Sequence, residues 1–165
     1  MREVFFSFEY DKDFCRAAKI RNAFEVTAND DIYDSEWKTI RTKDPEEAKA
    51  WLREQIELRD CLVVLIGETT ANNPWINFEI ETARDFGKGI VGIYINELED
   101  QDGNVTARGH NPFRFVNSTH FEGKTLSDKI NRFESSYVVS KAVYNDIKDH
   151  LEEIVEEAVI QAPNY

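Results

Sequence analysis

Cys61-Leu62-Val63-Val64-Leu65-Ile66 is an unbroken apolar run, and Val4-Phe5-Phe6-Ser7-Phe8 and Ile90-Val91-Gly92-Ile93-Tyr94-Ile95 share its character. A strand with one wet face alternates polar and apolar residues. These three do not, so they read as parallel-sheet strands covered on both faces. Helical patterns separate them. Phe14, Ala17, Ala18 and Phe24 recur at helical spacing after the first strand, with Asp11 or Asp13 available as cap. Asp44, Pro45 and Glu47 form a start signature ahead of Ala48, Trp51, Leu52 and Ile56. A third helix opens near Pro74-Trp75 and ends around Phe86-Gly87, where Gly87 or Gly89 can take the left-handed conformation. A last one spans 140–160 and turns Val143, Ile147, Leu151, Ile154, Val155 and Ala158 inward.

This strand–helix rhythm predicts an α/β, three-layer, doubly wound sandwich. Phe24-Glu25-Val26 and Tyr137-Val138-Val139 are candidates for two more short strands, giving a mostly parallel five-stranded sheet. Residues 27–35 read as a polar loop. Residues 96–136 read as an irregular insert, with Asp102-Gly103 and Asn111-Pro112 as turn signals. A surface loop is the plain reading of that insert, and a lid or partner contact the alternative.

The chain's 165 residues fit one domain, 1–165, and its 41% hydrophobic content supplies one core. A formal charge of −12 argues against nucleic acid as a partner, since phosphate contacts need clustered cations. Asp149, Glu152, Glu153, Glu156 and Glu157 fit a solvated helix face, with an acidic docking surface as the alternative. No apolar run reaches the roughly 18–20 residues of a membrane span, and Met1-Arg2-Glu3 leads directly into strand sequence, so a cytoplasmic protein without membrane contact is expected. Cys15 and Cys61 read as free thiols. His110, His120 and His150 lack ligand spacing, so no metal site is expected.

Stepping the third helix at about 100° per residue from Trp75 places Phe86, Ala83, Ile76 and Ile80 on one arc, and Asn77, Glu81, Arg84 and Asp85 opposite. Glu79 falls at about 40°, inside the apolar arc. A carboxylate there is paired, protonated or at the lip of a cleft, because burying an unpaired charge costs several kcal/mol or more. The competing reading is an acid near the first turn, favoured by the helix dipole. Ligands of doubly wound sheets bind outside the carboxyl ends of the strands. That edge collects Ser7, Phe8, Glu9, Tyr10 and Asp11, the loop before Trp37, and residues 67–73 with Thr69. A carboxylate among aromatics and hydroxyls is suited to a nucleoside.

Val4-Phe5-Phe6-Ser7-Phe8 followed by Asp11 resembles the opening strand of TIR domains, and Trp75-Ile76-Asn77-Phe78-Glu79 resembles their Trp-x-x-x-Glu helix. The segments VFFSFEYD, PWINFEIE, GKGIVGIYI and YNDIKDHLEEIVEEA, in this order, resemble the TIR-like proteins of Thoeris antiphage systems along nearly the whole chain. The resemblance implies a flavodoxin-like TIR fold and cleavage of the nicotinamide–ribose bond of NAD, with NAD as substrate and no separate cofactor. It also implies cyclisation or transfer of the ADP-ribose into a diffusible nucleotide that activates an antiphage effector protein. The family's catalytic glutamate maps onto Glu79.

On that reading Phe8, Tyr10, Trp37 and Trp75 are candidates to stack on nicotinamide or adenine, with core packing the competing role for Phe8 and Trp75. Lys12 and Arg16 are candidates to neutralise the diphosphate. Glu9, Asp11 and Asp13 oppose an anion here, as do Asp30, Asp31 and Asp34 in the next loop, which points to weak binding or a homo-oligomeric site. A flavodoxin needs a Gly- and hydroxyl-rich phosphate loop where Glu9-Tyr10-Asp11-Lys12-Asp13 stands, and a receiver domain needs an Asp where Ile66-Gly67-Glu68 stands. The remaining alternative is a non-catalytic TIR scaffold acting by self-assembly; such adaptors often lack the glutamate that this chain retains.

Overall fold

The computed structural model of the chain describes residues 2–24 and 36–165. Four strands, β1 (Val4–Ser7), β2 (Cys61–Ile66), β3 (Gly89–Tyr94) and β4 (Arg132–Phe133), form one sheet among the described residues in the order β1-β2-β3-β4. Every pairing is parallel, with Val4 opposite Cys61, Cys61 opposite Gly89 and Gly92 opposite Arg132. The helices are α1 (Tyr10–Ala23), α2 (Pro45–Glu57), α3 (Pro74–Asp85) and α4 (Ser140–Gln161), with a short helical segment at 36–40.

Every residue of β2 and β3 is buried, as the unalternating runs require. The two-residue period of a strand then sorts the core into two layers. Leu62, Val64 and Ile66 meet Leu52 and Ile56 of α2 and Ile76, Ile80 and Ala83 of α3. Cys61, Val63 and Leu65 meet Ala17 and Ile20 of α1 and Val143, Ile147, Leu151 and Val155 of α4. The three-layer sandwich follows from this sorting.

Local chemistry sets the helix ends. The Asp44 side chain accepts from the Glu46 amide, with Pro45 as first helical residue of α2. Asn73 caps α3 by accepting from the Trp75 and Ile76 amides. At the other end of α3, Gly87 has φ 66°, and the amides of Gly87 and Lys88 bond the carbonyls of Arg84 and Ala83. This Schellman arrangement needs the left-handed residue that glycine supplies without strain. In α1 neither expected Asp is the cap: Glu9 is, without a side-chain bond, and Asp13 lies inside the helix and is buried.

Two strand expectations need revision. Phe24 closes α1, and the rest of the expected strand Phe24-Glu25-Val26, like the expected loop 27–35, lies outside the described residues. Tyr137, Val138 and Val139 are not a fifth strand. They are 55%, 73% and 67% exposed and lead into α4. The strand beside β3 is Arg132–Phe133, inside the segment read as irregular. Gly92 explains the choice: a Cβ there would lie 2.7 Å from Ile66 and 3.2 Å from Arg132, so the missing side chain admits Arg132, whose guanidinium bonds the Tyr94 hydroxyl at 2.7 Å.

Residues 96–136 otherwise hold two 3-10 turns, Pro112–Phe115 and Leu126–Asp128, and an isolated bridge between Asn117 and Thr125. They also place Phe113, Val116, Leu126 and Ile130 in the core on the α2/α3 side. Both cysteines are free, and burial pushes the Cys61 thiol up to about 12. No helix among the described residues is long and apolar enough to cross a membrane.

The inner face of α1 carries an ion pair that hydrophobic spacing does not reveal. Arg16 is 2% exposed; it pairs with Asp13 at 3.3 Å and donates to the carbonyls of Leu98 and Asn104, each at 2.7 Å. Burial raises the Asp13 carboxyl above its usual range, against the opposing pull of Arg16. Removing the cation strands a buried carboxylate, so Arg16→Met is expected to cost about 3–5 kcal/mol. Asp13→Asn combined with Arg16→Met is expected to recover part of that loss in urea melts, and an additive double variant would contradict the coupling.

Candidate functional site

The site begins where β1 ends. Phe5 and Ser7 share the β1 face that looks toward α2 and α3, and both are buried. On α3 the buried residues are Ile76, Glu79, Ile80, Thr82 and Ala83, which makes Glu79 the centre of the inward arc. Phe86, expected on that arc, is 40% exposed because the helix has ended before it. Glu79 is 5% exposed, and its Oε2 accepts a short hydrogen bond from the Ser7 hydroxyl.

Glu79 has no cationic partner among the described residues, and burial pushes its carboxyl up to about 8, while the Ser7 hydrogen bond pulls it down. Since α3 starts at Pro74 and is capped by Asn73, Glu79 sits in the second turn. The helix dipole acts mainly within the first turn, so it does not account for a buried acid here.

The loops above Glu79 are tied to one another. The Thr69 hydroxyl donates to Glu9, and the buried Thr70 hydroxyl accepts from the Gly67 amide at 2.8 Å. Gly109 packs on the same loop: a Cβ there would sit 2.0 Å from the Gly67 carbonyl oxygen. A Cβ on Gly67 would sit 2.1 Å from Asp13. Three loops thus close on one edge without room for side chains.

Aromatic residues line the neighbouring core. Trp37 is 8% exposed, stacks on Trp51 at 5.8 Å and meets Trp75 edge-on at 5.4 Å. Trp75 in turn meets Phe78 at 6.4 Å. Tyr10 packs against the same cluster, stacked on Phe8 at 6.1 Å, and its buried hydroxyl has no hydrogen-bond partner among the described residues.

The structure therefore brings Ser7 to Glu79, and Tyr10, Trp37 and Trp75 to the same side of the sheet. Phe8 follows the other parity of β1: it packs with the α1/α4 layer, 5.5 Å beneath the Arg21 guanidinium. Arg16 is engaged inside the protein, as described above, and its guanidinium does not face the site. Asp11 pairs with Arg41 at 2.8 Å, and Thr69 with Glu9.

Lys38 and Arg41 belong to no motif in the sequence. Both hold their charges near the Tyr10 ring, at 5.3 and 4.8 Å from its centroid. Their three-residue spacing beside Trp37 was the available signal. Among the described residues no group of His, Cys, Asp and Glu is placed to hold a metal ion.

The Glu79 environment makes stability depend on pH with a definite sign. The folded carboxyl holds its proton more tightly than the unfolded one, whose ordinary value is 4.5. The resulting stability is complete below about pH 4.5 and is lost as pH rises toward about 8. Glu79→Gln removes this dependence. Its stability relative to the parent should therefore climb over that window, by at most about 1.4 kcal/mol per pH unit. Parallel stability curves for the two proteins would mean that the carboxyl is already ionised at neutral pH.

Comparison with known proteins places this geometry. The family model described as "Thoeris protein ThsB, TIR-like domain" matches residues 5–100, which contain both Ser7 and Glu79. A protein of Bacillus cereus (strain MSX-D12) that bears the name "Putative cyclic ADP-D-ribose synthase ThsB1" is 30% identical over 132 residues, covering 76% of this chain and 68% of that protein. On both counts the chain belongs to the ThsB family of Thoeris TIR-like proteins.

Proposed function

We propose that this protein cleaves the nicotinamide–ribose bond of NAD and joins the ADP-ribose to itself, giving a cyclic nucleotide that switches on an antiphage effector. One observation carries the reading: Glu79, buried on the site side of α3, has a hydroxyl and no cation as its partner among the described residues. The family membership and the synthase name of the Bacillus cereus relative support it. NAD enters as substrate.

The chemistry asks for a negative charge that is available but not neutralised. As the C1′–N bond breaks, its electron pair leaves with the nicotinamide nitrogen and the ribose becomes an oxocarbenium-like cation. A carboxylate held beside that cation stabilises the transition state more than the ground state. A nucleophile of the adenosine half then attacks C1′ to close the cycle, or water attacks, and the proton carried by an attacking hydroxyl or water is released. Burial favours the protonated form of Glu79. The cationic nicotinamide ring of NAD favours the ionised form, so the charge appears when substrate binds. Ser7 orients the carboxyl and lowers the cost of ionising it.

Two measurements test this. Glu79→Gln is expected to abolish nicotinamide release, a loss of at least about a thousandfold, since it keeps shape and removes charge. Unchanged turnover in a well-folded variant would remove Glu79 from the mechanism. No release from the parent protein would favour the reading as a self-assembling scaffold. For the parent, kcat/KM should rise with pH through a limb near 8. Ser7→Ala should move that limb to higher pH, because the hydroxyl holds the carboxyl's pKa down. A limb indifferent to Ser7 would contradict the assigned pair.

A further inference from the structure

We infer that Lys38 and Arg41, mounted on Tyr10, form the subsite that binds the diphosphate of a dinucleotide; this rests on the NAD reading above. The charge balance around the site raises the question. Glu9, Asp11 and Asp13 surround the start of α1, and a diphosphate brings more negative charge to that edge. Arg16 cannot compensate, because its guanidinium is 3% exposed at the side chain and bonds two carbonyls and Asp13.

Lys38 and Arg41 meet the need. They follow the site's Trp37 one and four residues along the chain, and the Arg41 amide bonds the Trp37 carbonyl at 3.0 Å, so one helical turn presents both cations. The Lys38 ammonium lies 5.3 Å from the centroid of Tyr10 and 5.7 Å from that of Phe14. It has no carboxylate partner among the described residues, and it is exposed. The Arg41 guanidinium lies 4.8 Å from the same Tyr10 centroid and holds Asp11 at 2.8 Å. Asp11 is 74% exposed at its side chain, so solvent can take over from Arg41 when an anion arrives. The Tyr10 hydroxyl is buried and has no hydrogen-bond partner among the described residues, so the ring is held by packing and serves as the platform on which both cations stand. Two cations converge on a single ring, packed against the Trp37–Trp75 cluster.

The test uses the full chain and three probes: NAD, ADP-ribose and nicotinamide riboside, the last of which lacks the diphosphate. Lys38→Met and Arg41→Met are each expected to weaken ADP-ribose binding at least tenfold, read by tryptophan fluorescence, and to raise KM for NAD in parallel. They should leave kcat at saturating NAD, and kcat/KM for nicotinamide riboside, within about twofold of the parent. Lys38→Arg is expected to retain binding, and because Lys38 is exposed the melts should coincide. Failure of the parent to bind ADP-ribose, equal affinity in parent and variants, or an equal loss toward nicotinamide riboside would each overturn the inference. A parent that binds ADP-ribose through these residues yet releases no nicotinamide would sustain the subsite and remove the catalytic reading instead.

Discussion

The complete burial of β2 and β3 constrains everything else in this chain. Two neighbouring parallel strands with no wet face need a helical layer on each side, and the parity of each strand decides which side chain meets which layer. Parallel pairing also brings every strand's carboxyl end to the same edge. The segments leaving β1, β2 and β3 therefore meet there by geometry, and contacts at Gly67 and Gly109 exclude even a methyl group. The edge is tight where backbone meets backbone. It holds a buried carboxyl where Ser7 and Glu79 of α3 meet at the end of β1.

Two buried acids at this edge show how the same cost is met in opposite ways. Asp13 has a cation beside it, and Arg16 spends its remaining donors on backbone carbonyls of 98 and 104, binding the segment after β3 to α1. That arrangement is a structural strut: its charges are used up internally. Among the described residues Glu79 has a hydroxyl alone, and burial pushes its carboxyl up to about 8. An acid poised this way responds to any cationic charge placed beside it. The burial of Glu79 is thus both a cost to the fold and the cause of its raised proton affinity.

The aromatic layer connects these parts. Trp37, Trp51, Trp75 and Phe78 form a chain of ring contacts joining 36–40, α2 and α3. Tyr10 packs on the same cluster and carries Lys38 and Arg41 above it. The rings are fixed by one another, while the long cationic side chains of Lys38 and Arg41 stand at the rim.

The sequence alone determined the layered architecture, because continuous apolar strands and capped amphipathic helices are local patterns with one consistent packing. Glu79 was legible for the same reason: a helical period exposes an acid that sits on the wrong face. Ring contacts aside, Phe8 and Ser7 were separable in principle by strand parity, although the run itself gives no sign of which face looks toward the carboxylate. The fourth strand was not legible, since Tyr137-Val138-Val139 carries the β-favouring residues and yet lies exposed. The place beside β3 went to Arg132–Phe133 because Gly92 leaves room there, a fact about two segments forty residues apart in sequence. Arg16 and the pair Lys38 and Arg41 look alike as cations on helical turns. Tertiary packing alone decided that the first is sealed inside against carbonyls and the others stand over Tyr10, because a charge's availability depends on what its neighbours in space have already bonded.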